Sequence, residues 1–245
     1  MTTSASSEPH RYLFVHIMKT GGTALVRRLR ERFGDAVYPT PGLDGTDLWE
    51  LYLLPDRLRE QLAARGDEIE IIAGHFPLCT TELIDGRVTT LTLLREPIER
   101  VLSSLRSARR ASLEQAFDEF ADRTLPAMKW HPALDPDNNM TRMLSVSSEE
   151  MRSSSVRRTE LSRVHLERAK EALTRMGAVG VQEDFDDFCA ELTARFGWNL
   201  GEPVTINVSP RVEASEGLRA RIAEDNALDV ELYEFATKLV PGSTS

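Results

Sequence analysis

One stretch near the amino end narrows the choice of fold more than any other. Tyr12-Leu13-Phe14-Val15 is an apolar burst, Lys19-Thr20-Gly21-Gly22-Thr23 follows it, and Leu25, Val26, Leu29 and Phe33 then recur at helical spacing until Gly34. The burst reads as a strand buried on both faces, the paired glycines as a tight loop, and the 3.6-residue repeat as an amphipathic helix. A strand covered on both faces needs helices on either side of its sheet. Strand, loop and helix in this order is the opening unit of a parallel α/β fold.

The rest of the chain repeats the alternation. Ile69 to Ala73, Val88 to Leu94 and Ala178 to Val181 are the further strand candidates. Helical spacing appears at Leu58 and Leu62 behind Pro55-Asp56, and at Ile98, Val101, Leu102 and Leu105 behind Pro97. It returns through most of Ser112 to Met176, at Phe185, Phe188, Cys189, Leu192 and Phe196, and in a final stripe of Val230, Tyr233, Phe235 and Leu239. Val37 to Thr46, with its prolines and glycines, reads as loop. The expectation is an α/β protein, a parallel β-sheet flanked by helices on both faces, with a flexible segment over 1–11 and one domain over 12–240. Ligands then belong at the carboxyl ends of the strands.

Composition removes several function classes. The 39 acidic residues outnumber 30 basic ones in 245, a formal charge of -9, which argues against a protein that coats a nucleic acid polymer. Two cysteines without a Cys-x-x-Cys pair support neither a disulfide framework nor a cysteine zinc site, and a reducing, cytoplasmic setting is expected. No transmembrane segment or signal peptide is expected, since no apolar run is long enough. The histidines at 10, 16, 75, 131 and 165 form no His-x3-His or His-Glu-x-x-His pattern, so no metal is expected.

Three loops at strand ends carry polar residues that packing alone does not require. In the first, Gly21 and Gly22 let the backbone approach a ligand, the first amides of the helix attract an anion, and Lys19 adds a charge; the natural guest is a phosphate. The lysine precedes the glycines, so this is not the Walker A pattern. The second is Arg95, with Ser103 eight residues on; an arginine fork and a helix hydroxyl suit phosphate oxygens, although a solvated arginine is the plainer account. The third is Gly74-His75-Phe76-Pro77, where a histidine behind a buried strand can take a proton near neutral pH.

Phe14-Val15-His16-Ile17-Met18-Lys19-Thr20-Gly21-Gly22-Thr23 resembles the 5′-phosphosulfate loop of sulfotransferases that use 3′-phosphoadenosine 5′-phosphosulfate (PAPS), most of all the branch of glycan 2-O-sulfotransferases and their small bacterial relatives. Met18 stands where that family often has proline. Leu94-Arg95-Glu96-Pro97 through Ser103 is similar to its 3′-phosphate motif. The resemblance implies a P-loop-like nucleotide-binding sulfotransferase fold, PAPS as donor, PAP as product, and a hydroxylated acceptor such as a glycan, lipid or small metabolite. It assigns donor binding to Lys19, Thr20, Gly21, Gly22, Thr23, Arg95 and Ser103, and to Arg211 in a late loop, with Lys19 also stabilising charge in the reaction. It implies His75 as the base, with His16 as rival; the strand position of His16 better suits orienting the donor. Asp137 to Leu144, Val179 to Phe185 and Asn226 to Tyr233 add weaker similarity, and Arg142 is open between a ligand contact and a helix-surface arginine. An ATP-dependent small-molecule kinase would need a Walker-type Lys-Ser/Thr and a carboxylate for magnesium, neither evident. A non-catalytic nucleotide- or glycan-binding module of the same fold would bind PAP without turnover.

Overall fold

The structure is a computed structural model, and it describes residues 10–39, 55–109, 117–128, 136–153, 159–201 and 214–240. Its strands are β1 (His10–Val15), β2 (Val37–Tyr38), β3 (Ile71–Gly74), β4 (Arg87–Leu94) and β5 (Ala178–Val181). They form one five-stranded sheet in the order β2-β3-β1-β4-β5, every neighbouring pair parallel. Among the described residues the helices are α1 (Gly22–Phe33), α2 (Pro55–Arg65), α3 (Pro97–Arg109), α4 (Phe117–Met128), α5 (Asn139–Ser145), α6 (Ser148–Ser153), α7 (Arg163–Arg175), α8 (Phe185–Phe196), α9 (Glu216–Asp225) and α10 (Ala227–Leu239).

The two-residue period of the strands divides their side chains between two cores. Leu13, Val15 and Ile72 face one layer, where Met140 of α5, Leu166 and Leu173 of α7 and Leu232 of α10 meet them. Phe14, Ile71, Ala73 and Leu93 face the other, against Leu25 and Leu29 of α1 and Phe188 and Leu192 of α8. Each of these side chains other than Ala73 contributes about 1.5–3 kcal/mol by leaving water. A third cluster joins α3, α4 and α9 through Val101, Leu105, Ala121, Leu125, Leu218 and Ile222.

Two expectations change. Val37-Tyr38 is not loop but the sheet's edge strand, paired with Ile71-Ile72, and it ends at a cis Tyr38-Pro39 bond. The final stripe does lie on one helix, α10, but Leu239 is 40% exposed while Leu232 and Ala236 turn inward. Trp198 is buried against Tyr12, with ring centroids 4.7 Å apart, so it packs in the core; Trp49 and Trp130 lie outside the described residues.

The segments 136–146 and 226–229 are locked together by buried polar groups. Asn138, at a left-handed φ of 46°, accepts the backbone N–H groups of Leu228 and Asp229 on its Oδ1 and donates to the Asp225 carbonyl. Asp229, fully buried, accepts the N–H groups of Met140 and Thr141 at the front of α5, at 3.0 and 2.7 Å. Arg100, 1% exposed, donates to the Pro136 carbonyl and to Asn226 Oδ1. Burial pushes the Asp229 carboxyl up, and the nearby Arg100 charge opposes that shift.

Candidate functional site

Because all five strands run the same way, their carboxyl ends share one rim. Its centre is the end of β1, flanked by β3 and β4, where the connections switch from one side of the sheet to the other. The loops that sequence analysis singled out meet there. Arg95 Nη1 donates to the Lys19 carbonyl at 3.1 Å, and His75 Nδ1 lies 2.5 Å from the His16 carbonyl.

The loop from Met18 to Gly21 is held in an uncommon shape. Lys19 has φ 67°, a left-handed value that a side-chain-bearing residue adopts only where its surroundings compel it. Those surroundings include the Arg95 bond and Thr20, fully buried, whose Oγ1 donates to the Ile17 carbonyl at 2.9 Å. Gly21 follows at φ 88° as the N-cap of α1. Thr20 therefore offers a ligand its backbone N–H, its hydroxyl being engaged inside the turn.

The front of α1 has no side-chain cap and no acidic residue in its first turn. Its first amides have no acceptors within the helix, so the positive end of its dipole is not answered locally. The front of α3, only a strand away, contrasts with it: Glu96 folds back to accept the N–H groups of Ile98 and Glu99 at 3.1 and 2.7 Å. Gly22 is required by its neighbour rather than by its φ. A Cβ there would lie 2.2 Å from His16 Cδ2, because that imidazole rests on the helix's first residue.

His16 and His75 face each other with ring centroids 4.2 Å apart. A carbonyl oxygen only accepts, so His75 Nδ1 carries the proton, and the neutral ring holds its lone pair on Nε2. Burial lowers the His75 pKa to about 4, against a partial opposing effect of that bond. Burial, then His75, then the Arg30 charge push His16 well below the usual histidine range. Both imidazoles are neutral at pH 7.

Arg95 is half-buried, and burial lowers its pKa although the Glu183 carboxylate opposes the shift. Its Nε is buried without a hydrogen-bond partner. Ser103 is half-buried on α3, about 9 Å along the helix from Pro97. Arg106, one turn beyond it, has a side chain 11% exposed that pairs with Glu99 at 3.2 Å, as Arg219 of α9 does at 3.0 Å. Glu183 accepts the Tyr233 hydroxyl at 2.9 Å and closes the β5 side of the rim.

Other candidates fall elsewhere. Arg142 is buried on α5 and donates to the Thr159 carbonyl, a tie between packed segments. Arg211 lies outside the described residues. Arg30 and Gln182 were not marked out in the sequence: Gln182 packs over Gly21, with its Cγ 2.9 Å from where a Cβ would be, and Arg30 donates to the Pro39 carbonyl behind β2. No group of three or more His, Cys, Asp or Glu is arranged for a metal among the described residues, and none of their helices is long and apolar enough to cross a membrane. A cavity of about 680 Å³ lined by Arg11, Arg59, Gly66, Glu82 and Asp85 opens at the opposite, amino end of the strands.

No protein-family model matches the chain, and no curated protein matches it. Among solved structures, the sulfotransferase from Alicyclobacillus acidocaldarius is similar with a TM-score of 0.49 and 19% identity, over 93% of this chain and 95% of that one.

Proposed function

We propose that this protein is a sulfotransferase that moves a sulfuryl group from PAPS to an acceptor hydroxyl and releases PAP. The observation that carries the reading is the meeting of Lys19, His75 and Arg95 around a helix front that has no carboxylate of its own. These residues fit the donor. The amides of Gly21 to Thr23 with Lys19 suit its 5′-phosphosulfate, and Arg95, with an orphaned Nε, and Ser103 suit its 3′-phosphate.

The donor supplies an activated sulfuryl group on a phosphate leaving group. His75 Nε2 takes the acceptor proton as the acceptor oxygen forms its bond to sulfur; the bond from sulfur to the 5′-phosphate oxygen breaks, and PAP leaves with that electron pair. Lys19 and the α1 amides hold the charge that grows on the leaving oxygen. His16 keeps the His75 ring in the correct tautomer through its carbonyl. The buried thiols Cys79 and Cys189 suit a reducing compartment, and the reaction is assigned to the cytoplasm.

The test is turnover of PAPS with a panel of hydroxylated acceptors, run beside calorimetry with PAP. His75→Ala should lower kcat by about 10²–10⁴ and leave PAP affinity within a few-fold. PAP binding without turnover on any acceptor favours a non-catalytic module. ATP consumption with magnesium and no PAP binding would favour a kinase.

A further inference from the structure

Strand order ranks the rim residues in space: Pro39 behind β2, His75 behind β3, Lys19 behind β1 and Arg95 behind β4. On the β2 flank stands one cation that sequence analysis passed over. Helix α1 runs back from the rim and its side chains tilt toward its own front, so Arg30 reaches toward the strand ends. Its Nη2 donates to the Pro39 carbonyl at 2.9 Å, and its Nε is buried without a hydrogen-bond partner.

The other arginines of α1 are accounted for. Arg27 pairs with Glu31 at 2.9 Å, Arg28 pairs with Asp186 at 3.4 Å, and Arg32 is exposed over the Phe33 ring. Arg30 is half-buried and pairs with no carboxylate among the described residues. The titratable group that feels its charge, His16, is itself uncharged. Among the described residues only a carbonyl answers this half-buried guanidinium, and a carboxylate, sulfate or phosphate ester would add charge-assisted bonds to it.

We propose that Arg30 is the acceptor-side anchor, and that the acceptor carries an anionic group one small ring away from its reacting hydroxyl. The inference rests on the donor and base assignments above: with PAPS across β1 and β4, the approach to His75 that remains is from β2. One strand spacing, about 5 Å, separates β2 from β3, and Tyr38, in register with Ile72, ends about 7 Å short of Gly74. That span takes a hydroxyl at His75 and a negative substituent at Arg30.

The test uses the full chain saturated with PAP, with its histidine rings isotopically labelled. Sodium acetate, sulfate and phosphate are titrated against chloride at matched ionic strength while the His16 and His75 resonances are followed by NMR. A saturable shift at His16 is expected in the wild type, absent in Arg30→Gln and largely kept in Arg30→Lys; which anion acts separates carboxylate from sulfate and phosphate. No response beyond chloride, or the same response in Arg30→Gln, overturns the proposal. Should PAP not bind, the donor reading falls, and the same titration on PAP-free Arg95→Ala protein still judges Arg30 alone. With any acceptor that is turned over, Arg30→Gln should raise KM about tenfold or more with kcat within about threefold. A loss confined to kcat overturns the anchoring role.

Discussion

His75 donates a hydrogen bond from Nδ1 to the backbone carbonyl of His16, its neighbour across the β1–β3 pair, and the two rings lie 4.2 Å apart. One contact thus fixes the tautomer of one imidazole and places the other against it. Two buried neutral rings at this distance resist protonation together, since a charge on either would face the other at close range.

Stability should follow that protonation. His75 has a pKa of about 4 when folded against 6.5 as an ordinary histidine, so between those values the unfolded chain binds more protons. The contribution is fully present above pH 6.5 and is lost as pH falls toward 4. His75→Asn, whose amide can still donate to the His16 carbonyl, should flatten this part of the fall in Tm between pH 6.5 and 4. An equal slope in wild type and variant would mean that the imidazole is not held neutral.

Gly22→Ala places a methyl group into the His16 ring. The expected cost is about 1–3 kcal/mol, as for other overpacked sites, with displacement of the ring from the helix front. Chemical denaturation should show this loss, and adding His16→Ala should recover most of it because the clashing ring is gone. Failure of the second change to rescue the first would place the clash elsewhere.

Arg95→Ala removes both a cation and the bond to the Lys19 carbonyl. If Arg95 holds a phosphate of the donor, PAP affinity should fall by about 10- to 100-fold, the worth of charge-assisted bonds. Arg95→Lys should recover only part of it, since an ammonium cannot fork. Calorimetry at two salt concentrations checks this, and the Ala variant should show the shallower salt dependence.

Asp229→Asn acts on the lock between 136–146 and 226–229. It replaces one of the two carboxylate oxygens that accept the N–H groups of Met140 and Thr141, and should cost about 1–3 kcal/mol in global stability. The protein that remains folded should bind PAP as wild type does. A loss of PAP affinity larger than the lost folded fraction would tie this buried carboxylate to the site.

What was legible in the sequence was what is local. The strand, the glycine loop and α1 appear as expected because the burial of Leu13 to Val15 and the helical repeat through Leu29 are set within a few turns of chain. The edge strand was not legible: Val37-Tyr38 is two residues in a proline- and glycine-rich stretch, and it is a strand only because Ile71-Ile72 lies beside it. Arg30 was missed for the same reason, its partner being the carbonyl where that strand ends. Thr20 was expected among the donor-binding residues, and its hydroxyl is turned to the Ile17 carbonyl, a contact the sequence did not indicate. The similar segments around Asn138 and Asn226 were visible as patterns. Their mutual locking was not, because each supplies hydrogen bonds to a stretch some ninety residues away.

The central strand β1 has β3 and β2 on one side and β4 and β5 on the other, and the two flanks come from different stretches of chain, 37–74 and 87–181. Each flank can accept insertions or exchanges without disturbing the hydrogen-bonding partners of the opposite one. An engineer who transplants the β2–β3 half from a distant homologue would be redrafting one wing of a building whose other wing keeps its foundations.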